Sequence, residues 1–269
     1  MIRFRRFAPI ATYAALALTG CAVLTSGGTA SLPAPASGTD VVQRMFAKYE
    51  GKWFQTLQFT QENTRYLPTG RTDRSQWKEY MLVPGRLRIE FMPASGGNGA
   101  VYADGNVFSF EGGRLARTTP QVNVLLVLTA DVYAQPTAKS VRQLTGLGVD
   151  FTKLRKDTWT GRPVWVVGAT GGADLGSPQF WVDAETWVVL RVIDRSPQGT
   201  PQGPRPATEF QLSDYRTIAG VPVVHQILFL RDGKPFFKEE YTLVELNTAL
   251  DARLFSSSQW RVPGVTRPK

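Results

Sequence analysis

The sequence has one cysteine, Cys21, and one histidine, His225. A single cysteine excludes an internal disulfide. The pair cannot supply the three or four ligands of a Cys/His zinc site, so no metal is expected. Long apolar runs are also missing. Residues 8–19 form a short one, too short to cross a bilayer as a helix. There is no Gly-x-Ser-x-Gly elbow. The glycine-rich stretch 168–176 lacks the Gly-Lys-Ser/Thr of a phosphate loop and reads as a hairpin connection. Negative charge is the scarcer sign: 22 Asp and Glu face 31 Lys and Arg, a net charge of +9. No element interleaves clustered Lys and Arg with aromatics, so no nucleic-acid partner is expected.

The N-terminus carries an address. Arg3, Arg5 and Arg6 form a basic segment, the apolar run 8–19 follows, and small residues precede Cys21. This is the layout of a secretory signal peptide over 1–20. Three of the nine excess positive charges therefore belong to the leader. Leu18-Thr19-Gly20-Cys21 resembles a bacterial lipobox. The resemblance implies diacylglycerol on the Cys21 sulfur, cleavage before Cys21 and acylation of the new amine. Each buried methylene contributes about 0.8 kcal/mol, so two or three chains hold the protein firmly on a membrane. Residues 21–38 carry no charge and no periodicity and read as a flexible tether, with an r.m.s. reach of roughly 23 Å. Ala22, which is not Asp, implies by similarity to diderm lipoproteins the periplasmic face of the outer membrane.

Beyond the tether the pattern is mostly strand. Asp40 is a candidate N-cap, and Val41, Val42, Met45, Phe46 and Tyr49 follow helical spacing. From Trp53 the period falls toward two, with Leu57 and Phe59 on one face. Residues 76–83 form a second strand. Leu87, Ile89 and Phe91 then alternate with Arg86, Arg88 and Glu90, which predicts one apolar face and one wet one. Asp104-Gly105, Gly112-Gly113 and Asp232-Gly233 are hairpin turns. Further strands are expected near 162–169, 177–183, 186–194, 207–217, 221–231 and 235–247, about ten in all, in a meander. Residues 121–133 are apolar nearly all round and are expected to cover something apolar. Thr137 is a candidate cap for another helix. Stretch 196–206, rich in Pro and Gly, is a hairpin connection. His225 reads as a structural strand residue between Val223 and Ile227.

The order of elements resembles the bacterial lipoprotein-localisation family, LolA and LolB and their relatives. The resemblance rests on the Phe59-Thr60-Gln61 strand, the Trp181-Val182-Asp183-Ala184-Glu185-Thr186 hairpin and Asp214-Tyr215 followed by Gly220-Val221-Pro222-Val223. Tyr241, Asn247, Leu250-Asp251 and Leu254-Phe255 look like the closing strand and final turn. It covers a domain over 39–256, with 257–269 as a C-terminal tail. It implies a mainly β, α+β fold: a curved antiparallel sheet forming an unclosed barrel, its concave face covered by helices. It also implies an apolar cavity that takes acyl chains of lipids or lipoproteins, with no cofactor and no catalysis. Leu57, Phe59, Leu87, Ile89 and Phe91 are the candidate cavity face; Leu125, Leu126 and Leu128 are the candidate lid. The chain departs from LolB in one respect, since residues 93–99 hold no large apolar residue for membrane contact. The same pattern of apolar residues is equally that of a filled core. Two other functions therefore stay open: an envelope-stress sensor of the anti-sigma-factor-binding type, and a scaffold lipoprotein without ligand.

Overall fold

The computed structural model describes residues 33–195 and 207–260. The signal peptide, Cys21, most of the tether and the 196–206 connection lie outside those residues.

Helix α1 (Gly38–Tyr49) starts one turn earlier than its acid suggests. Ser37 is the N-cap: its Oγ accepts from Asp40 N at 3.2 Å, while Asp40 Oδ2 accepts from Ala36 N at 2.9 Å. A hydroxyl at the cap and a carboxylate three residues on satisfy the loose N–H groups of the first turn together. Val41, Val42, Met45 and Tyr49 are buried.

Fifteen strands follow: β1 (Thr56–Tyr66), β2 (Thr72–Leu82), β3 (Arg86–Phe91), β4 (Gly99–Ala103), β5 (Asn106–Glu111), β6 (Arg114–Pro120), β7 (Leu154–Trp159), β8 (Arg162–Val167), β9 (Gln179–Asp183), β10 (Val189–Asp194), β11 (Thr208–Ser213), β12 (Arg216–Ile218), β13 (Val221–Val223), β14 (Gln226–Arg231) and β15 (Lys234–Leu246). Thirteen of them form one sheet in the order β6-β5-β4-β3-β2-β1-β15-β14-β11-β10-β9-β8-β7, and β12 and β13 pair as a separate ribbon. The meander is broken once, where the first and last strands meet in the middle, from Leu57 opposite Leu246 to Arg65 opposite Phe237. The sheet is curved and does not close: β6 and β7 are its edges. Between these two strands the chain runs as α2 (Val124–Thr129), a 3-10 turn (Asp131–Tyr133) and α3 (Thr137–Gly146). Their apolar residues share one core with α1 and the concave face of the sheet.

Turn chemistry sets the strand ends. Asp104-Gly105, Gly112-Gly113 and Asp232-Gly233 have positive φ at both positions, the two-residue geometry whose twist matches antiparallel strands. At Gly99 the reason is a close approach: a Cβ there would lie 2.1 Å from Ile89 O and 2.5 Å from the Trp260 ring.

Several expectations need correction. The sheet has more strands than expected. Strand β7, with Arg155, Lys156 and Asp157 in succession, lacks an apolar signature; it is an edge strand. The stretches 207–217 and 221–231 are each interrupted, at Asp214, whose φ of 51° turns the chain, and at His225. His225 therefore links β13 to β14 and does not sit inside a strand; it is buried, and its Nδ1 lies 2.9 Å from Val223 O. Pro136, not Thr137, is the N-cap of α3. The outer face of β3 is wet at Arg86 but not at Arg88. Arg88 is 3% exposed, pairs with Glu90 at 2.7 Å, donates to Leu254 O at 3.1 Å and lies 4.0 Å from the Trp260 ring centre. That ring stacks on Phe110 at 4.3 Å, and its Nε1 donates to Gly97 O. The packed body thus runs through residues 257–260 and past the expected boundary at 256. A cover supplied from far along the chain leaves no trace in the local pattern of β3.

Candidate functional site

On the concave side, between the sheet and α2, lies a cavity of about 290 Å3. Its apolar wall is built by parity. Leu57 on β1, Met81 on β2 and Leu87 on β3 stand in register. In-pointing residues of antiparallel neighbours form rows across the sheet. Ile89, one row further, also lines the cavity, and so do Leu125 and Leu126 of α2. Asn123 caps α2, its Oδ1 accepting from Leu126 N at 3.0 Å. Trp53 closes one end with its ring 4.0 Å from Tyr133. Trp77, Phe210, Phe229 and Phe237 complete the wall.

The expected cavity residues fall into two sets. Leu57, Leu87, Ile89, Leu125 and Leu126 line the space. Phe59, Phe91 and Leu128 do not. Phe59 is buried behind the wall and stacks on Tyr241 at 4.2 Å; Phe91 packs on Trp77 at 4.8 Å; Leu128 is buried on the core side of α2. Cys21 lies outside the described residues.

The floor of the cavity is polar, which the sequence reading missed. Gln61 of β1, Glu79 of β2, and Glu239 and Tyr241 of β15 line it and are all buried, with Asn63 of β1 buried beyond the lining. Gln61 Nε2 donates to Asn63 Oδ1 at 2.7 Å, and Tyr241 Oη donates to Glu239 Oε2 at 2.9 Å. Asn63 Nδ2 and Trp53 Nε1 are buried without a hydrogen-bond partner among the described residues. Burial pushes the Glu79 carboxyl well above the usual range, and the charge of Glu239 pushes it further. Burial raises Glu239 to about 7, while hydrogen bonds from Tyr241 and Gln61 act against the shift. Tyr102, in the wall, is pushed up to about 12 by burial and then by these two carboxyls. Two like charges in a desolvated space disfavour joint ionisation, so at least one proton is held near neutral pH. A signal did exist in the sequence. Gln61 and Asn63 continue the parity of Leu57 and Phe59, Glu79 that of Met81, and Glu239 that of Phe237.

Metal chemistry finds no framework here: among the described residues there is no group of three or more His, Cys, Asp or Glu able to hold an ion. No helix among them is long and apolar enough to cross a membrane.

No family model matches the sequence, and a search of curated proteins also finds no match. Solved structures do match. A DUF1329 family protein from Desulfovibrio piger shares 14% identity at a TM-score of 0.55, over 83% of this chain and 98% of that one. A domain described as an outer membrane lipoprotein-sorting protein, from Vibrio parahaemolyticus, shares 12% at 0.57, with the same coverage of 83% and 98%. A LolA superfamily protein from Nitrosomonas europaea shares 14% at 0.52, over 80% and 97%. At such identities the likeness is one of fold alone.

Proposed function

We propose that this chain is a lipid-anchored protein of the cell envelope that binds a single aliphatic chain, from a lipid or a lipoprotein, between its sheet and α2. The observation that carries the reading is the cavity itself. A filled core would leave no space of about 290 Å3 walled by Leu57, Leu87, Ile89, Leu125 and Leu126, because protein interiors close-pack and leave few voids larger than a water. At roughly 30 Å3 per water-sized group, and a methylene is of similar size, the space holds a chain of about ten carbons. The full set of chains on a lipoprotein is much larger. The occupant is therefore one chain or part of one.

The test uses Trp53 and Trp77, which face the cavity. A monoacylglycerol with a brominated chain, titrated into the purified protein, is expected to quench tryptophan emission saturably. Trp53→Phe combined with Trp77→Phe is expected to remove that quenching. Absence of saturable quenching returns the protein to the scaffold reading.

The anchor is proposed on Cys21, through the lipobox. Metabolic labelling with a palmitate analogue is expected to mark the wild-type protein and not Cys21→Ser; equal labelling of both overturns it. Attachment at the periplasmic face of the outer membrane follows from Ala22 and belongs to the same proposal.

A further inference from the structure

The net charge of the chain is +9, yet among the described residues no positive group lines the cavity. Glu79, Glu239 and Asp194 line it, with Tyr102, Tyr133, Tyr215 and Tyr241, and among the described residues no Lys, Arg or His does. A cavity meant for a fatty acid or a phospholipid head would place a cation where the anion ends, since an ionised group moved out of water needs a partner. Here the opposite sign waits. Glu239 has its Tyr241 hydrogen bond. Glu79, 5% exposed and facing the cavity, has no hydrogen-bond partner among the described residues. It stands in register with Ile89 on one side and Phe59 on the other, both apolar. A buried carboxyl without a partner has unused acceptor capacity pointed at whatever fills the space.

We propose that Glu79, with Glu239 behind it, is a head-group site, and that the cavity selects an aliphatic chain ending in a hydrogen-bond donor, an ammonium group before all others, over a chain ending in an anion. The inference rests on the acyl-chain reading above and sharpens it. The apolar wall takes the chain, and the polar floor takes the amine. An alkylammonium brought to the floor meets the Glu79 carboxyl on β2, with Glu239 on β15 lining the same space. It gains charge-assisted hydrogen bonds, and its charge relieves the repulsion between the two acids. A carboxylate head in the same place adds negative charge beside an acid pair that already disfavours it, and is held there only by sharing a proton with Glu79.

Decylamine, decanol and decanoate, each below its micelle concentration, are titrated calorimetrically into the purified full-length protein. Decylamine is expected to bind roughly tenfold to a hundredfold more tightly than decanoate, the span a hydrogen bond to a charged group covers. Decanol falls between them. Glu79→Gln combined with Glu239→Gln is expected to bring the amine-to-alkanol ratio to near one. A second readout needs no variant. In the wild type the amine-to-alkanol ratio is expected to rise as pH climbs through about 7, where Glu239 ionises. Decanoate binding as tightly as decylamine, or a ratio unmoved by both the substitutions and pH, overturns the head-group site and leaves chain binding standing. Failure of all three probes, decanol included, overturns the chain-binding reading and the head-group site with it.

Discussion

The two wings of the sheet begin from the same apolar alternation and end differently. In β9 and β10 every residue is buried. On the concave side Phe180, Val182, Val189 and Val192 join the main core, and α1 seals β8 so tightly that a Cβ on Gly38 would lie 2.5 Å from Val167. On the outer face Arg191 lies 4.4 Å from the Trp159 ring and 4.8 Å from the Trp181 ring, and pairs with Glu209 at 2.8 Å. The Trp181–Asp183 hairpin is closed by Asp183 Oδ1, which accepts from Glu185 N, Thr186 N and Thr186 Oγ1, while Oδ2 pairs with Arg162 at 2.8 Å. The other wing, from β3 across β1 and β15 to β11, lies under the six residues of α2 and its flanks, with Tyr215 and Pro222 to Val224 beside them, and keeps the cavity. The comparison teaches that the open space is a property of the lid. A twelve-residue amphipathic helix fills its half of the concavity, and a six-residue one does not.

The largest contrast comes from placing the same cation on each wing. Val182→Lys, at a fully buried site of β9, places an ammonium within the main apolar core. It is expected to cost several kcal/mol, enough to unfold a domain of ordinary stability. Urea denaturation should find no cooperative transition at room temperature. A persisting transition would mean that the filled wing has hidden slack.

Trp260→Ala tests the outer cover of the open wing. It removes the ring that stacks on Phe110 and roofs Arg88, at an expected cost of about 3 kcal/mol. The urea midpoint reads it, and chain binding on the opposite face should stay unchanged. A loss under about 1 kcal/mol would show that residues 257–260 dress the body without holding it.

The polar floor predicts an unusual pH response. Burial raises Glu79 well above its ordinary value, Glu239 from 4.5 to about 7, and Asp131, which accepts from Gly85 N, from 3.8 to about 6. An acid whose pKa rises on folding binds its proton more tightly in the folded state. Its favourable contribution is complete below the unfolded pKa and is lost as pH climbs through the folded one. Stability is therefore expected to fall between about pH 4.5 and about pH 7, by up to roughly 1.4 kcal/mol per pH unit for each such group, and to level off above for Glu239. Glu79→Gln with Glu239→Gln should flatten most of that slope. A slope of opposite sign would mean that these acids are solvated.

Ile89→Lys carries the smallest expected effect on folding. Ile89 lines the cavity directly opposite Glu79. The new amine would find both space and a carboxylate, so the melting temperature should move by only a few degrees. Chain binding should be lost, because the lysine occupies the place of the ligand. Unfolding as severe as that of Val182→Lys would erase the difference between the wings.

Much of the scaffold was legible locally. Asp-Gly and Gly-Gly pairs marked hairpins, alternation marked strands, and Val41, Val42, Met45 and Tyr49 marked the buried stripe of α1. The cavity face was legible as parity at Leu57, Leu87 and Ile89. Phe59, Phe91 and Leu128 share that apolar character yet sit behind or beside the space, because depth behind a wall depends on which neighbour reaches over it. Trp260 over Arg88 and Tyr241 over Phe59 come from distant parts of the chain.

The sequence by itself determined the periods, the turns and the excess of positive charge, since each is read from the residues in order without their tertiary neighbours. Only the tertiary structure decided that β1 and β15 pair, which brings Glu79 and Glu239 from opposite ends of the domain to one floor. It also decided that α2 is too short to fill the concavity above them. Burial and charge pairing are set by distance in space, and 160 residues of chain separate those two acids.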